Sequence, residues 1–385
     1  MPATVDIIVG GRFHSDYMAS ALLGAGHTVR LFTSFPRNRF PGLPGSVVKP
    51  FVAAELAFRA ARIFGWEDHG DLWKMRLLGT WAARGRDPVD ILFGWSSFCL
   101  EAITAGRAGK TVVVRDSAHI TVQLEILARE YLRLGLTPPD RSAVARREID
   151  EYAAADFILV PSQFARQSFL DRGMRPEKLH VIALGVNLSL FRPAQRILPR
   201  LPLRVIYFGT LSVQKGVHHL LEATRRFSAG EIRLLLVGPV SPEFRPILAR
   251  HDHFEYRPAM RQESLAAVLY EQDVFVFPTL HDGYGQVLPQ AMASGLVPIA
   301  TDHCGAAELI RDGQNGLVVP AGDAEAIAAR LSDLVSDLSR VKHLREAAAL
   351  VGRESSWTKY SRDLSGWVSS ILALGGSRRE AGHGG

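Results

Sequence analysis

Residues 281–295 hold the densest group of glycines and polar side chains with potential for chemistry, and their sequence is HDGYGQVLPQAMASG. They follow an apolar run that ends at Phe277 and Pro278. Peptide N–H groups at the start of a helix have no intrahelical partner and bind anions well. We therefore expect a helix that starts near residue 285 and whose first amides hold a phosphate, namely those of Gly283, Tyr284, Gly285, Gln286 and Val287. Gln290 lies one to two turns into this helix and is expected to face the same ligand.

A second group of candidate residues lies between the strand-like run Arg204–Phe208 and a helical run that begins at Val217. This group contains Gly209, Thr210 and Lys215. A lysine shortly after a strand-end glycine can neutralise a diphosphate that sits at the carboxyl end of the strand. A surface lysine ahead of a helix would give the same pattern, so this motif alone leaves both interpretations open.

The first strand-like run ends in a glycine pair, Gly10 and Gly11, which is followed by Arg12. Such a pair lets a ligand approach the backbone closely, although tight turns also use glycine. The three spaced glycines of a dinucleotide-binding turn are absent, which argues against an NAD site. Arg115 ends another strand-like run and His119 follows it, where a histidine either contacts a ligand or is only a hydrogen-bonded polar residue.

The composition excludes several other classes of protein. The net charge of +6 comes from scattered basic residues and not from clusters interleaved with aromatics, which argues against nucleic-acid binding. Cys99 and Cys304 are too distant for a disulfide framework, and the histidines lack metal-ligand spacing, so no metal site is expected. The N-terminus lacks the features of a signal peptide, and no run approaches the roughly 20 apolar residues that span a bilayer. A cytoplasmic protein is expected.

Short apolar runs alternate with helical patterns along the chain, which predicts βαβ units and parallel sheets. The runs are Val5–Val9, Val29–Thr33, Val89–Phe93, Thr111–Arg115, Phe157–Val160, His180–Ala183, Arg204–Phe208, Arg233–Val237, Val274–Phe277 and Val297–Thr301. A proline-rich stretch, Phe191 to Pro202, separates two halves. We expect an α/β protein with two Rossmann-like, doubly wound domains facing a central cleft, over residues 1–190 and 200–355. One helix is expected over Leu331–Leu350, another over 357–374 that folds back on the first domain, and a flexible tail over 375–385.

These motifs together resemble those of the retaining glycosyltransferases of family 4, which have the GT-B fold. The resemblance covers nearly the whole chain, because the motifs occur in the order expected for that family. They are the glycine turn at Gly10, the runs 115–120 and 160–164, the segments 209–216 and 282–295, the string 315–320 and the helix from Trp357.

The resemblance implies a nucleotide-diphosphate sugar, UDP- or GDP-linked, as co-substrate, with no cofactor and no metal. It implies that His119 lies near the transferred sugar, that Lys215 neutralises the leaving diphosphate and that Asp282 touches sugar hydroxyls. It places further donor contacts at Gly11 beside the diphosphate, at Gln290 on the ribose, at Arg257 near the base, and at the amides of residues 283–286.

Three residues depart from the family pattern. The usual pair of glutamates, seven residues apart, is Asp282 and Gln290 here. The arginine that usually follows the strand-end glycine is Thr210, so one phosphate cation is missing. We expect Arg12, Arg115 or Arg261 to compensate for it.

The acceptor is expected to be a glycan or a lipid-linked glycan. Residues 37–65 mix basic and apolar side chains, which is typical of either an ordinary loop and helix or a segment lying on the inner face of a membrane. Two rival functions stay open: a nucleotide-sugar epimerase on the same scaffold, and a catalytically silent subunit that binds nucleotide sugars. The sequence does not indicate which sugar, nucleotide or acceptor is used.

Overall fold

The computed structural model of the chain describes residues 2–63, 67–84, 87–193 and 199–380, and it describes side chains outside residues 62–69 and 374–380. Two sheets, of seven and six strands, form the framework, and every strand pair in them is parallel. Parallel strands need crossover connections, which the intervening helices supply. The predicted fold, two facing doubly wound α/β domains, is confirmed.

The first sheet has the strand order β3-β2-β1-β4-β5-β6-β7. Its strands are β1 (Thr4–Val9), β2 (Thr28–Thr33), β3 (Val48–Pro50), β4 (Val89–Trp95), β5 (Ala108–Val114), β6 (Phe157–Val160) and β7 (Leu179–Val181). The helices between them are α1 (Ser15–Gly24), α2 (Val52–Ile63), α3 (Glu67–Ala83), α4 (Leu100–Thr104), α5 (Ile120–Arg133), α6 (Ser142–Ala154) and α7 (Gln163–Leu170). In the centre, Ile7 pairs with Leu31 on one side and with Phe93 on the other, and all three are fully buried.

The second sheet repeats this order as β10-β9-β8-β11-β12-β13. Its strands are β8 (Leu203–Phe208), β9 (Ile232–Val237), β10 (Glu255–Arg257), β11 (Val274–Phe277), β12 (Val297–Thr301) and β13 (Leu317–Val319). Its helices are α8 (Val217–Thr224), α9 (Arg245–Leu248), α10 (Gln262–Leu269), α11 (Val287–Ala293), α12 (Ala324–Ser336) and α13 (Leu338–Glu354). In both sheets the order in which strands are added thus reverses beside the first strand. Open α/β sheets bind ligands at such a reversal of strand order.

The last helix, α14 (Trp357–Glu380), returns to the first sheet and packs on α1. Tyr360, Leu364 and Val368 are buried in the same core cluster as β1 and β4. Trp357 stacks on Tyr17 with ring centroids 3.7 Å apart. We call β1–β7, α1–α7 and α14 the first lobe, and β8–β13 with α8–α13 the second lobe.

Several predicted boundaries are corrected by the structure. The single helix expected over Leu331–Leu350 is two helices, because the Asp337 side chain accepts hydrogen bonds from the amides of Ser339 and Arg340 and so starts α13. Part of the tail expected to be flexible is helical as far as Glu380, while residues 381–385 lie outside the described residues. Parts of the Phe191–Pro202 stretch and of the 37–65 segment also lie outside them. No helix in the described ranges is long and apolar enough to cross a membrane.

Candidate active site

The two lobes meet through loops that follow the carboxyl ends of their strands. Ser162 donates a hydrogen bond from its hydroxyl to the Gly283 carbonyl over 2.6 Å. A Cβ atom at Gly283 would lie 2.3 Å from both the Asp116 carbonyl oxygen and the Ser117 Cα. Only glycine therefore allows the loop after β11 to approach the loop after β5 this closely.

Lys215 and Asp282 form an ion pair in this region, with Nζ 2.5 Å from Oδ2. Both side chains are largely buried, with 23% and 18% of their surface exposed. The loop that carries Lys215 is fixed against the loop before Asp282, because the Leu280 amide donates to the Gln214 carbonyl over 3.0 Å. Gly216, with φ +61°, starts α8 where a Cβ would lie 2.0 Å from the Pro278 carbonyl oxygen. Both charged residues are candidates predicted from the sequence, and the structure brings them together.

The amides after Asp282 form the second element of the site. The Tyr284 amide donates to Asp282 Oδ1 over 3.2 Å. Among the described groups, none accepts a hydrogen bond from the amides of Gly285, Gln286 or Val287. Gly285 has φ +77°, and a Cβ there would lie 2.6 Å from Cys304 Sγ. The loop therefore presents three successive unpaired N–H groups beside the Lys215–Asp282 pair, as anion binding requires.

The side chains of this loop serve the contact between lobes. The Tyr284 hydroxyl donates to the Leu184 carbonyl over 3.0 Å, and the side-chain Nε2 of Gln286 donates to the Gly185 carbonyl over 2.7 Å. Gln290 is buried on α11, and no described group hydrogen-bonds its side chain. Tyr284 and Gln286 are thus left to contact a ligand through their main chains, whereas the Gln290 carboxamide stays available.

His119 caps the first helix turn after β5. Its Nδ1 accepts a hydrogen bond from the Thr121 amide over 3.3 Å, and its ring packs on Tyr152 and Phe169. Burial, together with the positive charge of Arg115, lowers the pKa of His119 to about 4. The imidazole is therefore neutral at physiological pH, and because Nδ1 accepts, the proton is on Nε2, which can donate a hydrogen bond without carrying charge.

The depressed pKa of His119 predicts a loss of stability in acid. Between pH 6.5 and 4 the unfolded chain binds more protons at this site than the folded chain, so stability is complete above pH 6.5 and falls as pH drops towards 4. His281, with a pKa of about 3, acts in the same direction. We expect His119→Asn, which keeps a helix-capping side chain, to lose about 1–2 kcal/mol less than wild type between pH 7 and pH 5.

Urea unfolding followed by circular dichroism at both pH values measures this difference. Exposed His343 on α13 provides the matched control, because His343→Asn should lose as much stability as wild type. An equal loss in His119→Asn and wild type would contradict the prediction.

Arg115 does not reach the cleft as a free cation. Its guanidinium is buried and donates to the Ala118 carbonyl, to Gln123 over 2.7 Å and to Glu148 over 3.2 Å. In the structure Arg115 holds the loop before His119, and its contact with the donor stays a prediction. An ion pair of two buried side chains is typical of such an internal role.

The remaining predicted donor contacts are either paired with other side chains or exposed. Arg12 forms a 2.7 Å ion pair with Asp16, and Arg257 forms a 2.8 Å ion pair with Glu255 on the edge strand β10. Thr210 is exposed after β8, and its carbonyl accepts from the Tyr207 hydroxyl. Arg261, the third candidate for a replacement cation, is exposed at the start of α10.

The glycine pair after β1 divides its work. Gly10 is required by packing, because a Cβ there would lie 2.0 Å from the Phe98 ring. Gly11 leaves more room, since its nearest neighbour would be the Phe13 ring at 3.4 Å. Gly11 is itself buried, so its contact with the diphosphate stays a prediction.

Asp116, for which the sequence predicted no role, lies at the same meeting point of the two lobes. It accepts a hydrogen bond from the Trp95 indole over 2.9 Å and lies 3.4 Å from His14 Nδ1. A group of Glu130, His218 and His219, whose ligand atoms lie within 4.8 Å of one another, was also not predicted from the sequence. Glu130 is 88 residues from His218, so spacing along the chain gave no signal for this group.

Two doubly wound sheets that face each other across a cleft, with a lysine and free loop amides at the switch point of the second sheet, define a GT-B glycosyltransferase. Residues 9–190 match the profile of Glycosyltransferase Family 4, and residues 202–337 match that of Glycosyl transferases group 1. The chain belongs to glycosyltransferase family 4, as its motifs predicted.

Individual proteins agree with this assignment. WcaL of Salmonella typhimurium, a glycosyltransferase named for colanic acid biosynthesis, is 29% identical over 323 residues, 79% of this chain and 76% of WcaL. Sucrose-phosphate synthase from Thermosynechococcus elongatus has a similar fold, with a TM-score of 0.71 at 18% identity over 96% of this chain and 99% of that one. HepE of Anabaena in complex with UDP-glucose has a TM-score of 0.64 at 16% identity, over 96% and 100% of the two chains.

Proposed function

We propose that this enzyme transfers a sugar from a nucleotide-diphosphate donor to a glycan or lipid-linked glycan, with retention of the anomeric configuration. The observation that carries this proposal is the Lys215–Asp282 pair beside the unpaired amides of Gly285, Gln286 and Val287. A cation and several oriented N–H groups suit a diphosphate, whose negative charge grows as it leaves. The glycosyltransferases of similar sequence, WcaL among them, support polysaccharide assembly as the setting.

In the proposed reaction the bond between the anomeric carbon and the diphosphate oxygen breaks through an oxocarbenium-like state. A bond forms from the acceptor hydroxyl oxygen to the anomeric carbon on the face that the diphosphate leaves. The hydroxyl proton passes to an oxygen of the departing diphosphate, so no enzyme nucleophile is needed. Lys215 and the amides supply the positive charge that balances the leaving group.

Other residues position the sugar in this proposal. Asp282 forms an ion pair with Lys215 before the donor binds. Once the diphosphate competes for the lysine, the Asp282 carboxylate accepts hydrogen bonds from sugar hydroxyls. Neutral His119 contacts the sugar through Nε2. Gln290 contributes its uncharged carboxamide to the ribose hydroxyls.

The donor can be identified by thermal shift, because a ligand that binds only the folded protein raises the melting temperature. We expect stabilisation by one nucleoside diphosphate and its sugar, from the UDP or the GDP series. Transfer to acceptor oligosaccharides should then occur with the stabilising donor and persist in EDTA. Conversion of the donor to an epimer without acceptor would identify an epimerase, and tight donor binding without turnover on any acceptor would indicate a silent subunit.

An exposed apolar face on α2 and α3 supports contact with a lipid-linked acceptor at the inner face of the membrane. Leu56, Trp73 and Leu77 are exposed by 61%, 45% and 44%, although they are large apolar residues. Arg59 and Arg76 are exposed on the same two helices. Apolar groups beside basic ones favour a surface of anionic lipid.

Replacing Leu56 and Leu77 together by Ser is expected to weaken binding to anionic lipid vesicles about tenfold or more, because two leucine side chains no longer enter the lipid. Vesicle co-sedimentation measures the change. Leu350→Ser is the matched control, since Leu350 is 64% exposed but lies on α13 in the second lobe. Equal binding by all three proteins would show that this face does not meet lipid.

A further inference from the structure

A group of two histidines and one glutamate joins the two lobes. Glu130 lies near the end of α5 in the first lobe, and His218 and His219 begin α8 in the second. Glu130 Oε1 is 2.6 Å from His218 Nε2 and 3.1 Å from His219 Nε2. All three side chains are nearly buried, with 11%, 6% and 3% of their surface exposed.

The hydrogen bonds of this group are incomplete. His218 Nε2 contacts the carboxylate well, but His219 Nε2 is buried and has no hydrogen-bond partner among the described groups. A buried imidazole nitrogen without a partner costs free energy that most folded proteins avoid. His219 Nε2 therefore lies 3.1 Å from Glu130 Oε1 without a hydrogen bond to it, and its need for a partner is unmet.

A divalent cation would meet that need. Two imidazoles and one carboxylate form a zinc-binding set that leaves a fourth position open. Zinc bonds of about 2.0–2.1 Å in a tetrahedron place neighbouring ligand atoms about 3.3 Å apart. The separations here, 2.6 and 3.1 Å, require only small movements of the side chains to reach that value.

We propose that Glu130, His218 and His219 bind a divalent transition-metal ion of the zinc class, and that this ion clamps the two lobes together. The site goes beyond the proposed transferase function, because its residues lie on α5 and α8, none of them is among the proposed donor contacts, and the ion takes no part in the reaction. Donor exchange in a cleft between lobes needs them to separate. The ion would therefore act as a brake on turnover.

In the absence of metal, the positive charge beside Glu130 is the Arg133 guanidinium. It donates from Nε and from Nη2 to the Glu130 carboxylate, over 2.6–3.0 Å. Its side chain is 51% exposed and can swing into solvent when an ion binds. The two positive charges compete for one carboxylate, so Arg133→Gln should bind metal more tightly than wild type.

Isothermal titration of the metal-free full-length protein with Zn²⁺ tests the site without any donor. We expect one strong site in wild type, binding at least about tenfold weaker in His219→Gln and in Glu130→Gln, and tighter binding in Arg133→Gln. His343→Gln, which removes an exposed histidine of α13, should bind as wild type does. Absence of a strong site in wild type, or unchanged affinity in both ligand variants, would overturn the proposal.

The clamp is tested by stability and turnover. Zn²⁺ at 100-fold excess over its Kd should raise the melting temperature of wild type by about 3 °C but leave that of His219→Gln unchanged. Zn²⁺ should also slow multiple turnover in wild type and not in His219→Gln. Without metal, His219→Gln should be as active as wild type. Zinc binding without either effect would remove the clamp. Zn²⁺ binding is measured without donor. The metal site can therefore be absent while sugar transfer is present, or present while transfer is absent.

Discussion

Lys215→Ala is expected to lower kcat by about 10²- to 10³-fold with little change in the folded structure, which is the loss typical of removing one preorganised donor to a developing negative charge. The Lys215 ammonium lies at Asp282, beside the unpaired amides. Among the described residues, no other cation forms an ion pair with Asp282. Its charge matters more in the transition state than in the bound donor, so kcat should fall more than KM rises. Steady-state transfer with the donor identified by thermal shift measures the effect.

Two variants make this result interpretable. Lys359→Ala removes a surface lysine paired with Asp363 on α14 and should leave kcat unchanged. Lys215→Arg keeps the charge but not the compact ammonium, and should recover part of the loss. If Lys215→Ala kept more than half of the wild-type kcat, the leaving group would have to be balanced by other groups.

The long, buried strands could be predicted from sequence because they lie between other strands and are apolar on both faces. β11 and β12 have the predicted bounds, and β1 and β8 begin one residue earlier than expected. β3, β10 and β13 were missed, and each is a three-residue strand at the edge of a sheet. An edge strand of this length is specified by its neighbour and leaves almost no periodic pattern of its own.

The candidate site could be predicted where a residue's position follows from its own strand end. Lys215 and Asp282 follow β8 and β11, which are neighbours in the sheet, so their loops had to meet. Arg115 also follows a strand end, but its partner Glu148 lies on a distant helix that the local sequence does not place. A positive charge in the sequence indicates that a negative group is near it, and only the fold decides whether that group is a ligand or another side chain.

The contacts between lobes were beyond prediction for the same reason. Ser162 lies in a run that the family resemblance included, but nothing in the run indicates that its hydroxyl meets Gly283. Glu130 is on a helix with an ordinary amphipathic pattern, and its partners are on the other lobe. Such contacts depend on how two independently built sheets face each other, and that arrangement has no local signature in the sequence.

Gly283→Ala is expected to lower kcat/KM about 100-fold, because a methyl group at this position cannot fit between the lobes in their present arrangement. The Cβ would lie 2.3 Å from the Asp116 carbonyl oxygen and from the Ser117 Cα, and both are backbone atoms that cannot rotate away. The loop after β5 or the loop after β11 must move by about 1 Å, and a displacement of this size next to reacting groups costs about that factor. Transfer kinetics measure the loss.

Glycine substitutions elsewhere separate this steric effect from the general cost of replacing glycine. A Cβ at Gly45 would meet no atom within 4 Å, so Gly45→Ala should keep wild-type activity. A Cβ at Gly305 would lie 2.1 Å from the Gly283 carbonyl oxygen, so Gly305→Ala should reproduce the loss from the other side of the same contact. If Gly283→Ala and Gly305→Ala both turned over donor as wild type does, the chemical step would take place with the lobes further apart. The close approach of Gly283 to Asp116 would then belong to a resting state, and the amides after Asp282 would act without support from the first lobe.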